Sequence, residues 1–216
     1  MKTIRVVFLL LLTGCAGAPQ VHEVKEVYLC AADECGPAGR RYSGAQVLQA
    51  LYRLLKANEG KDYTICSSSP ETRSCESEGV GYFVMGGPIP GYGHSGPVAL
   101  HDIKLDSASQ SLLSTAKGNI RWLGTPVLCA ERKSTLLVRS ANEITITDEP
   151  HYCTWMALGH MTITFSFAVE TIDFDKGRLA GYWSHASAGI GVGKGSGYGV
   201  LQFPVSMPAG ENWLAK

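Results

Sequence analysis

Near the end of the 216-residue chain, glycine stands at every second position of one stretch, Ala188–Val200. A period of two is the period of a β-strand, whose successive side chains point to opposite faces of a sheet. The stretch therefore predicts a strand with one bare face. A glycine face of this kind marks a place where something bulky approaches the backbone. The opposite face would carry Ile190, Val192, Lys194, Ser196, Tyr198 and Val200.

Two other interpretations of the glycines fit the sequence less well. The dinucleotide fingerprint needs glycines at offsets of two and five, and an offset of five never meets a glycine within this run. A P-loop needs Ser or Thr after its lysine, but Lys194 is followed by Gly195. Gly189, Gly193 and Gly197 have the G-x-x-x-G spacing of membrane helices, yet each glycine costs a helix roughly 1 kcal/mol.

Two occupants of the bare face remain open. Aromatic side chains from neighbouring strands can fill it, and Phe165, Phe167, Tyr182 and Trp183 lie on those predicted strands. The alternative is a flat backbone groove for an acyl chain, a glycan or the strand of a partner. On that alternative the candidate binding residues are Trp183, His185, Lys194 and Tyr198.

The residues before the glycines predict an antiparallel sheet. Met161–Val169 alternates apolar and polar residues, and the alternation inverts further on, which indicates a bulge near Thr171. Asp175–Gly177 has the composition of a hairpin turn, and Arg178–His185 follows it as a strand. Further predicted strands are Val98–Leu105, Asn119–Trp122, Pro126–Ala130, Leu136–Ser140, Glu143–Thr147, Tyr152–Met156 and Leu201–Val205, with a turn at Asp148–Pro150.

One amphipathic helix is predicted from about Gly44 to Glu59. Ser43 and Gln46 have the spacing of a capping box, and Gly60 suits the C′ position. Because consecutive hairpins accompany a single helix, we expect a mainly β (α+β) fold. It would be an antiparallel sheet or open barrel with one packed amphipathic helix, stapled by disulfides.

The first residues are typical of a secretory signal. Lys2 and Arg5 precede the apolar run Val6–Leu12, which is shorter than the about 20 residues that span a bilayer. The run ends in LTGC, with Cys15 last. Here the sequence resembles bacterial lipoproteins, whose lipobox is a Leu, two small or polar residues and a Cys.

That resemblance implies diacylglyceryl transfer to Cys15, cleavage before it and acylation of the new amino terminus. Ala16 stands where lipoproteins of the inner membrane usually carry an aspartate, which implies a periplasm-facing anchor in the outer membrane. The expected organisation is a signal peptide at 1–14, a lipidated tether at 15–24 and a single periplasmic β-rich domain at 25–216.

The remaining cysteines are even in number, and the periplasm is an oxidising compartment. Their spacings lack the C-x-x-C pairs of zinc sites, so we predict disulfides and no metal. Sequence leaves the connectivity open. Sequential pairing is our preferred prediction: Cys30 with Cys35, Cys66 with Cys75, and Cys129 with Cys153.

Motifs for catalysis and nucleic-acid binding are absent from the sequence. Basic and acidic residues balance at 19 each, which argues against a nucleic-acid partner. Ser95 in GHSGP does not complete G-x-S-x-G, and no H-E-x-x-H occurs. The histidines show no spacing of metal ligands, so neither a cofactor nor a catalytic residue is predicted: His22, His94, His101, His151, His160 and His185.

The sequence therefore favours binding over catalysis. The first hypothesis is an accessory lipoprotein with a protein partner, which assembles an envelope complex or inhibits an envelope-active enzyme. The alternatives are a lipocalin-like carrier of a lipid or other apolar ligand, and an envelope hydrolase. A large apolar cavity beneath the glycine strand would favour the carrier. An exposed glycine or aromatic edge with no cavity would favour the accessory protein. A cleft gathering His94, His101 or His185 with a carboxylate would favour the enzyme.

Overall fold

The computed structural model describes most of the chain from residue 22 onward, in the ranges 22–32, 34–68, 95–122, 125–129, 131–155, 159–189, 193–207 and 214. In these ranges strands predominate, with one α-helix and one short 3-10 turn at Ala38–Arg40. The elements are β1 (Tyr28–Ala31), β2 (Glu34–Pro37), α1 (Gly44–Ala57), β3 (Asp62–Ser68), β4 (Ser95–Asp106), β5 (Ser111–Trp122), β6 (Thr125–Cys129), β7 (Arg132–Ser140), β8 (Glu143–Trp155), β9 (His160–Asp173), β10 (Arg178–Gly189) and β11 (Gly193–Gln202).

Eight strand positions form a closed antiparallel barrel. The order is β3, β4, β5, then β6 with β7, then β8, β9, β10 and β11, which returns to β3. β6 and β7 share one position, because both lie between β5 and β8 and pair with different lengths of each. The predicted mainly β, antiparallel fold with one packed helix is confirmed, and the sheet closes on itself.

Local signals in the sequence placed the bulge and the turn correctly. The register between β9 and β10 shifts after Ala180, where Ala180 pairs with Thr171 and Gly181 pairs with Val169. Glu170 is therefore the extra residue of a β-bulge. Gly177 has a φ of 63° in the turn that joins the two strands, as its place after Lys176 predicted.

The helix α1 begins as predicted and ends earlier. Ser43 accepts a hydrogen bond from the Gln46 backbone N–H, and the Gln46 side chain accepts one from Ser43 N–H, which completes the capping box. The helix ends at Ala57 rather than Glu59, because the Asn58 N–H already bonds back to Leu55. Its apolar face is buried: Val47, Leu48, Ala50, Leu51, Leu54 and Leu55.

α1 lies at one end of the barrel, which we call the helix end; the opposite end, where β4 begins and β5 ends, is the loop end. Gly44 lies against the backbone of Ser140, at the end of β7. Glu59 accepts a hydrogen bond from Ile103 N–H, near the end of β4, at 3.0 Å. The side chain of Asn58, which is buried, exchanges two hydrogen bonds with the Val205 backbone and so ties the segment after β11 to α1.

A hairpin outside the barrel extends β9. β1 pairs with β2 and runs parallel to the last residues of β9. The predicted disulfide between Cys30 and Cys35 is confirmed, and it joins directly opposed residues of this hairpin. Cys153 is also disulfide-bonded, and its backbone partner across β6 and β8 is Cys129. The predicted Cys66–Cys75 pair lies outside the residues that the structure describes fully.

Several predicted boundaries need correction. The predicted turn at Asp148–Pro150 lies inside β8, where a register shift between Asp148 and His151 absorbs the proline without breaking the strand. The strand predicted to reach Val205 ends at Gln202, where the chain turns towards α1. β1, β2 and β3 were not predicted as strands. Within the described ranges, no helix is long and apolar enough to cross a membrane. The predicted signal sequence and Cys15 lie outside those ranges.

Candidate functional site

The barrel encloses a cavity of about 70 Å³. At roughly 10–15 Å³ for each water, it has room for on the order of five water molecules or an apolar group of similar bulk. Most of its wall is apolar, with Leu55 of α1 at the helix end. The lining is Leu55, Tyr63, Leu100, Leu112, Ser114, Ala116, Arg132, Ser134, Leu136, Ile146, Asp148, Phe165, Phe167, Leu179, Trp183, His185, Gly199, Leu201 and Phe203.

Glycines of β11 face this interior. Gly199 lines the cavity, while Tyr198 and Val200 on either side of it pack on the outside of the barrel. Across β10, Trp183 is paired with Gly197 and His185 with Gly195. The predicted alternation is therefore present, and bulky side chains of β10 stand beside the glycines that β11 contributes.

The inward side chains of adjacent strands fall into rows, because cross-strand partners in register point to the same face. One row is apolar, and we call it the apolar row: Leu112, Leu136, Ile146, Phe167 and Trp183, each paired with the next. Two residues closer to the loop end lies a second row, the polar row: Ser114, Ser134, Asp148, Phe165 and His185. The cavity wall therefore changes character along the strands.

A buried charge lies next to the polar row. Arg132 is two residues beyond Ser134 on β7, lines the cavity and is only 3% exposed. The Ser134 hydroxyl donates a hydrogen bond to Asp148 Oδ1 at 2.5 Å. A guanidinium and a carboxylate thus share one interior, and unpaired charges in such surroundings would be costly.

Titratable groups near the polar row are held in their neutral forms. Burial lowers the pKa of the His185 imidazole below its ordinary value. Burial and, after it, the Arg132 charge also lower the pKa of His151. Burial raises the pKa of Tyr63, another lining residue, to about 12. Both imidazoles and this phenol are therefore uncharged near neutral pH.

The four candidate binding residues separate into two pairs. Trp183 and His185 line the cavity, and their rings stack with centroids 5.8 Å apart. Lys194 is exposed, and Tyr198 is buried on the outer face of the barrel against Tyr182. His22, another histidine singled out in the sequence, stacks on Tyr182 with the ring centroids 3.8 Å apart.

The charged residues of the cavity were missed in the sequence. Arg132 and Ser134 precede the predicted strand Leu136–Ser140, yet they continue its alternation, and β7 is buried at Arg132, Ser134, Leu136 and Val138. Asp148 extends the alternation of Ile144 and Ile146 in the same way. A period of two carried through polar residues was the signal that could have found them.

One of the three histidines named for the hydrolase lies in the same cavity as a carboxylate. His185 and Asp148 both line the cavity, whereas His101 lies beside Gly60 near the helix end and outside the lining. His94 lies outside the described residues. Within those residues, no group of three or more His, Cys, Asp or Glu side chains could hold a metal ion.

The fold and the cavity define a closed β-barrel with a mainly apolar interior. Comparison with protein-family models, with curated proteins and with solved structures finds no match for this chain.

Proposed function

We propose that the protein is a small-molecule carrier of the lipocalin-like kind, whose barrel interior binds an apolar ligand. The observation that carries the proposal is the cavity of about 70 Å³ with a predominantly apolar wall. Concave, mainly apolar sites with a few polar groups are the usual form of small-molecule sites, and mouths of β-barrels are one of their usual places. Neither a charged surface nor a motif of catalysis is needed for this role.

The placement of the glycine strand supports the carrier over the accessory protein. Over Tyr198–Gln202, β11 is hydrogen-bonded on one edge to β10 and on the other to β3. A partner's strand therefore has no free edge to join along that length. The bare face of β11 is turned to the interior, where Gly199 forms part of the cavity wall.

The proposal includes a lipid anchor at Cys15 on the periplasmic face of the outer membrane. It rests on the resemblance of LTGC to the lipobox. The residues from Cys15 to His22 span at most roughly 25 Å when extended, and His22 is docked on the barrel. The lipid would hold the cavity close to a membrane, which is both a source and a destination of apolar ligands.

The first test is ligand binding by the chain secreted with Cys15→Ser, so that no acyl chain competes for the interior. Native mass spectrometry would report a co-purifying adduct, and the small dye 1-naphthylamine, which is uncharged near neutral pH, would report a free cavity by its fluorescence. Ala116→Phe, which places a ring into the cavity, should weaken dye binding at least about tenfold. Ser114→Leu provides a smaller filling variant if the larger one does not fold.

The matched control is Thr115→Phe on the same strand. Thr115 lies between two lining residues and is not one of them, so its substitution should leave the Kd for the dye within about twofold. An unliganded wild-type protein that binds no dye would refute the carrier. Equal weakening by Ala116→Phe and Thr115→Phe would place the dye outside the cavity and refute it as well.

A further inference from the structure

The cavity is graded from one end to the other. The apolar row lies nearer the helix end, where Leu55, Leu179 and Phe203 complete an apolar floor. The polar row lies two residues, or about 7 Å along each strand, nearer the loop end. A ligand with an apolar end and a polar end therefore has one favoured direction in the barrel, with its apolar end towards α1.

The formal charges at the polar row balance. Among the described residues that line the cavity, Arg132 and Asp148 carry formal charges, and these are opposite in sign. Both act on the same space. The Arg132 charge lowers the pKa of Tyr63 and of His151, whereas the Asp148 charge raises the pKa of both. A ligand bearing a charge would meet attraction from one group and repulsion from the other, and would still lose its hydration.

The hydrogen-bonding groups at this level are of both kinds. Asp148 offers carboxylate oxygens as acceptors, and Arg132 offers guanidinium N–H donors. Ser114 adds a hydroxyl that can donate or accept. A ligand hydroxyl, which also donates and accepts, matches this set better than a group that does only one of the two.

We propose that the ligand is an uncharged amphiphile, with a hydroxyl at the polar row and a short apolar body against the apolar row and the floor. This inference rests on the proposed carrier function and narrows its ligand class. The size of the cavity, on the order of five waters, fits an apolar body of about six carbon atoms.

The test uses three six-carbon probes that differ in the head alone: 1-hexanol, hexanoate and hexylammonium, at about pH 7.5. Each would displace the naphthylamine dye from the Cys15→Ser chain. 1-Hexanol should bind at least about tenfold more tightly than either ion. A wild-type protein that binds hexanoate or hexylammonium as tightly as 1-hexanol would overturn the inference and leave the carrier standing, because the dye would still bind.

Charge-changing variants test whether the balance between Arg132 and Asp148 causes this selectivity, since any apolar cavity disfavours ions. Asp148→Asn leaves the polar end of the cavity with a net positive charge, that of Arg132, and should raise the affinity for hexanoate relative to 1-hexanol at least about tenfold. Arg132→Met leaves it negative and should favour hexylammonium instead. Lys133→Met, which removes a positive charge from an exposed residue of the same strand outside the lining, is the control and should keep the wild-type order.

Thermal unfolding of each variant would show which of them fold, and the ranking in the wild-type protein decides the inference if a variant does not. Folded Asp148→Asn and Arg132→Met proteins that keep the wild-type preference would overturn it. Failure of the carrier looks different, because neither the dye nor any of the three probes would then bind.

Discussion

The two faces of β10 and β11 differ in packing, although their residues alternate along the same strands. The inner face combines glycines with Trp183 and His185 and leaves part of the interior unfilled. The outer face is filled, because Ala180, Tyr182, Tyr198 and Val200 form a buried cluster against Val24. One pair of strands thus serves as the wall of a cavity and as the docking surface for the N-terminal segment.

The difference shows where the protein gives up stability. An unfilled interior forgoes packing, at about 24 cal/mol for each Å³ of cavity. For about 70 Å³ this amounts to on the order of 2 kcal/mol. That is a sizeable share of the free energy of unfolding of a typical domain, which is roughly 5–15 kcal/mol. The outer face carries no such cost. Loss of the N-terminal segment that packs on it should therefore lower stability and leave ligand binding unchanged.

The largest effect is expected at Gly181, where the β-bulge lets β9 approach β10. A Cβ there would overlap the carbonyl oxygen of Ala168, which is backbone and cannot turn aside. Gly181→Ala should therefore lower the free energy of unfolding by about 3 kcal/mol, measured by urea denaturation. In the control Gly36→Ala, the new Cβ would meet only the flexible Arg41 side chain, at 3.5 Å. Equal stability of the two variants would contradict the close approach.

The second effect is a pH dependence of stability that comes from His185 on the inner face and has no counterpart on the outer face. Because the folded pKa of His185 is lowered, its contribution to stability is present above about pH 6.5, the ordinary value, and is lost as the pH falls below it. Urea denaturation at several pH values between about pH 8 and pH 5 gives the free energy of unfolding as a function of pH. This free energy should fall less steeply with decreasing pH in His185→Gln than in the wild type. The difference is at most about 1.4 kcal/mol per pH unit, the limit for one proton. Identical slopes would show that His185 is not buried in its neutral form.

The smallest effect is expected on the outer face. His22→Ala removes the ring stacked on Tyr182 and should lower the free energy of unfolding by about 0.5–1 kcal/mol. Glu23→Ala, at the neighbouring exposed residue, is the control and should leave the free energy of unfolding nearly unchanged. Binding of the dye should be the same in both variants and in the wild type. A weaker affinity in His22→Ala alone would mean that the two faces are not independent.

Features set by a few adjacent residues could be predicted from the sequence. The capping box needs only Ser43 and Gln46, and the turn at Gly177 needs one residue that tolerates positive φ. The glycine strand and the bulge near Thr171 also follow from local periodicity. In each case the physical cause lies within one turn or one strand, where sequence spacing and spatial spacing coincide.

Features that depend on pairing between distant segments could not be predicted in this way. Closure depends on the pairing of β3 with β4 and β11, and no pattern within β3 identifies those partners. The polar row exists because Ser114, Ser134 and Asp148 come into register from three strands. No local pattern in any one strand contains that information, and Asp148 was instead predicted to lie in a turn. Register across strands, and hence the candidate site, requires the structure.

The pairing of β3 with β11 also governs the order in which the protein can fold. Ile65 and Leu201 are partners in this ladder, so the ring joins two segments that lie far apart in the sequence. Forming such distant contacts is entropically slow. The hairpins β4–β5 and β9–β10 bring together near neighbours and can form beforehand. The edges of β3 and β10 therefore stay open until β11 pairs with them, and that interval is when the chain is most exposed to aggregation.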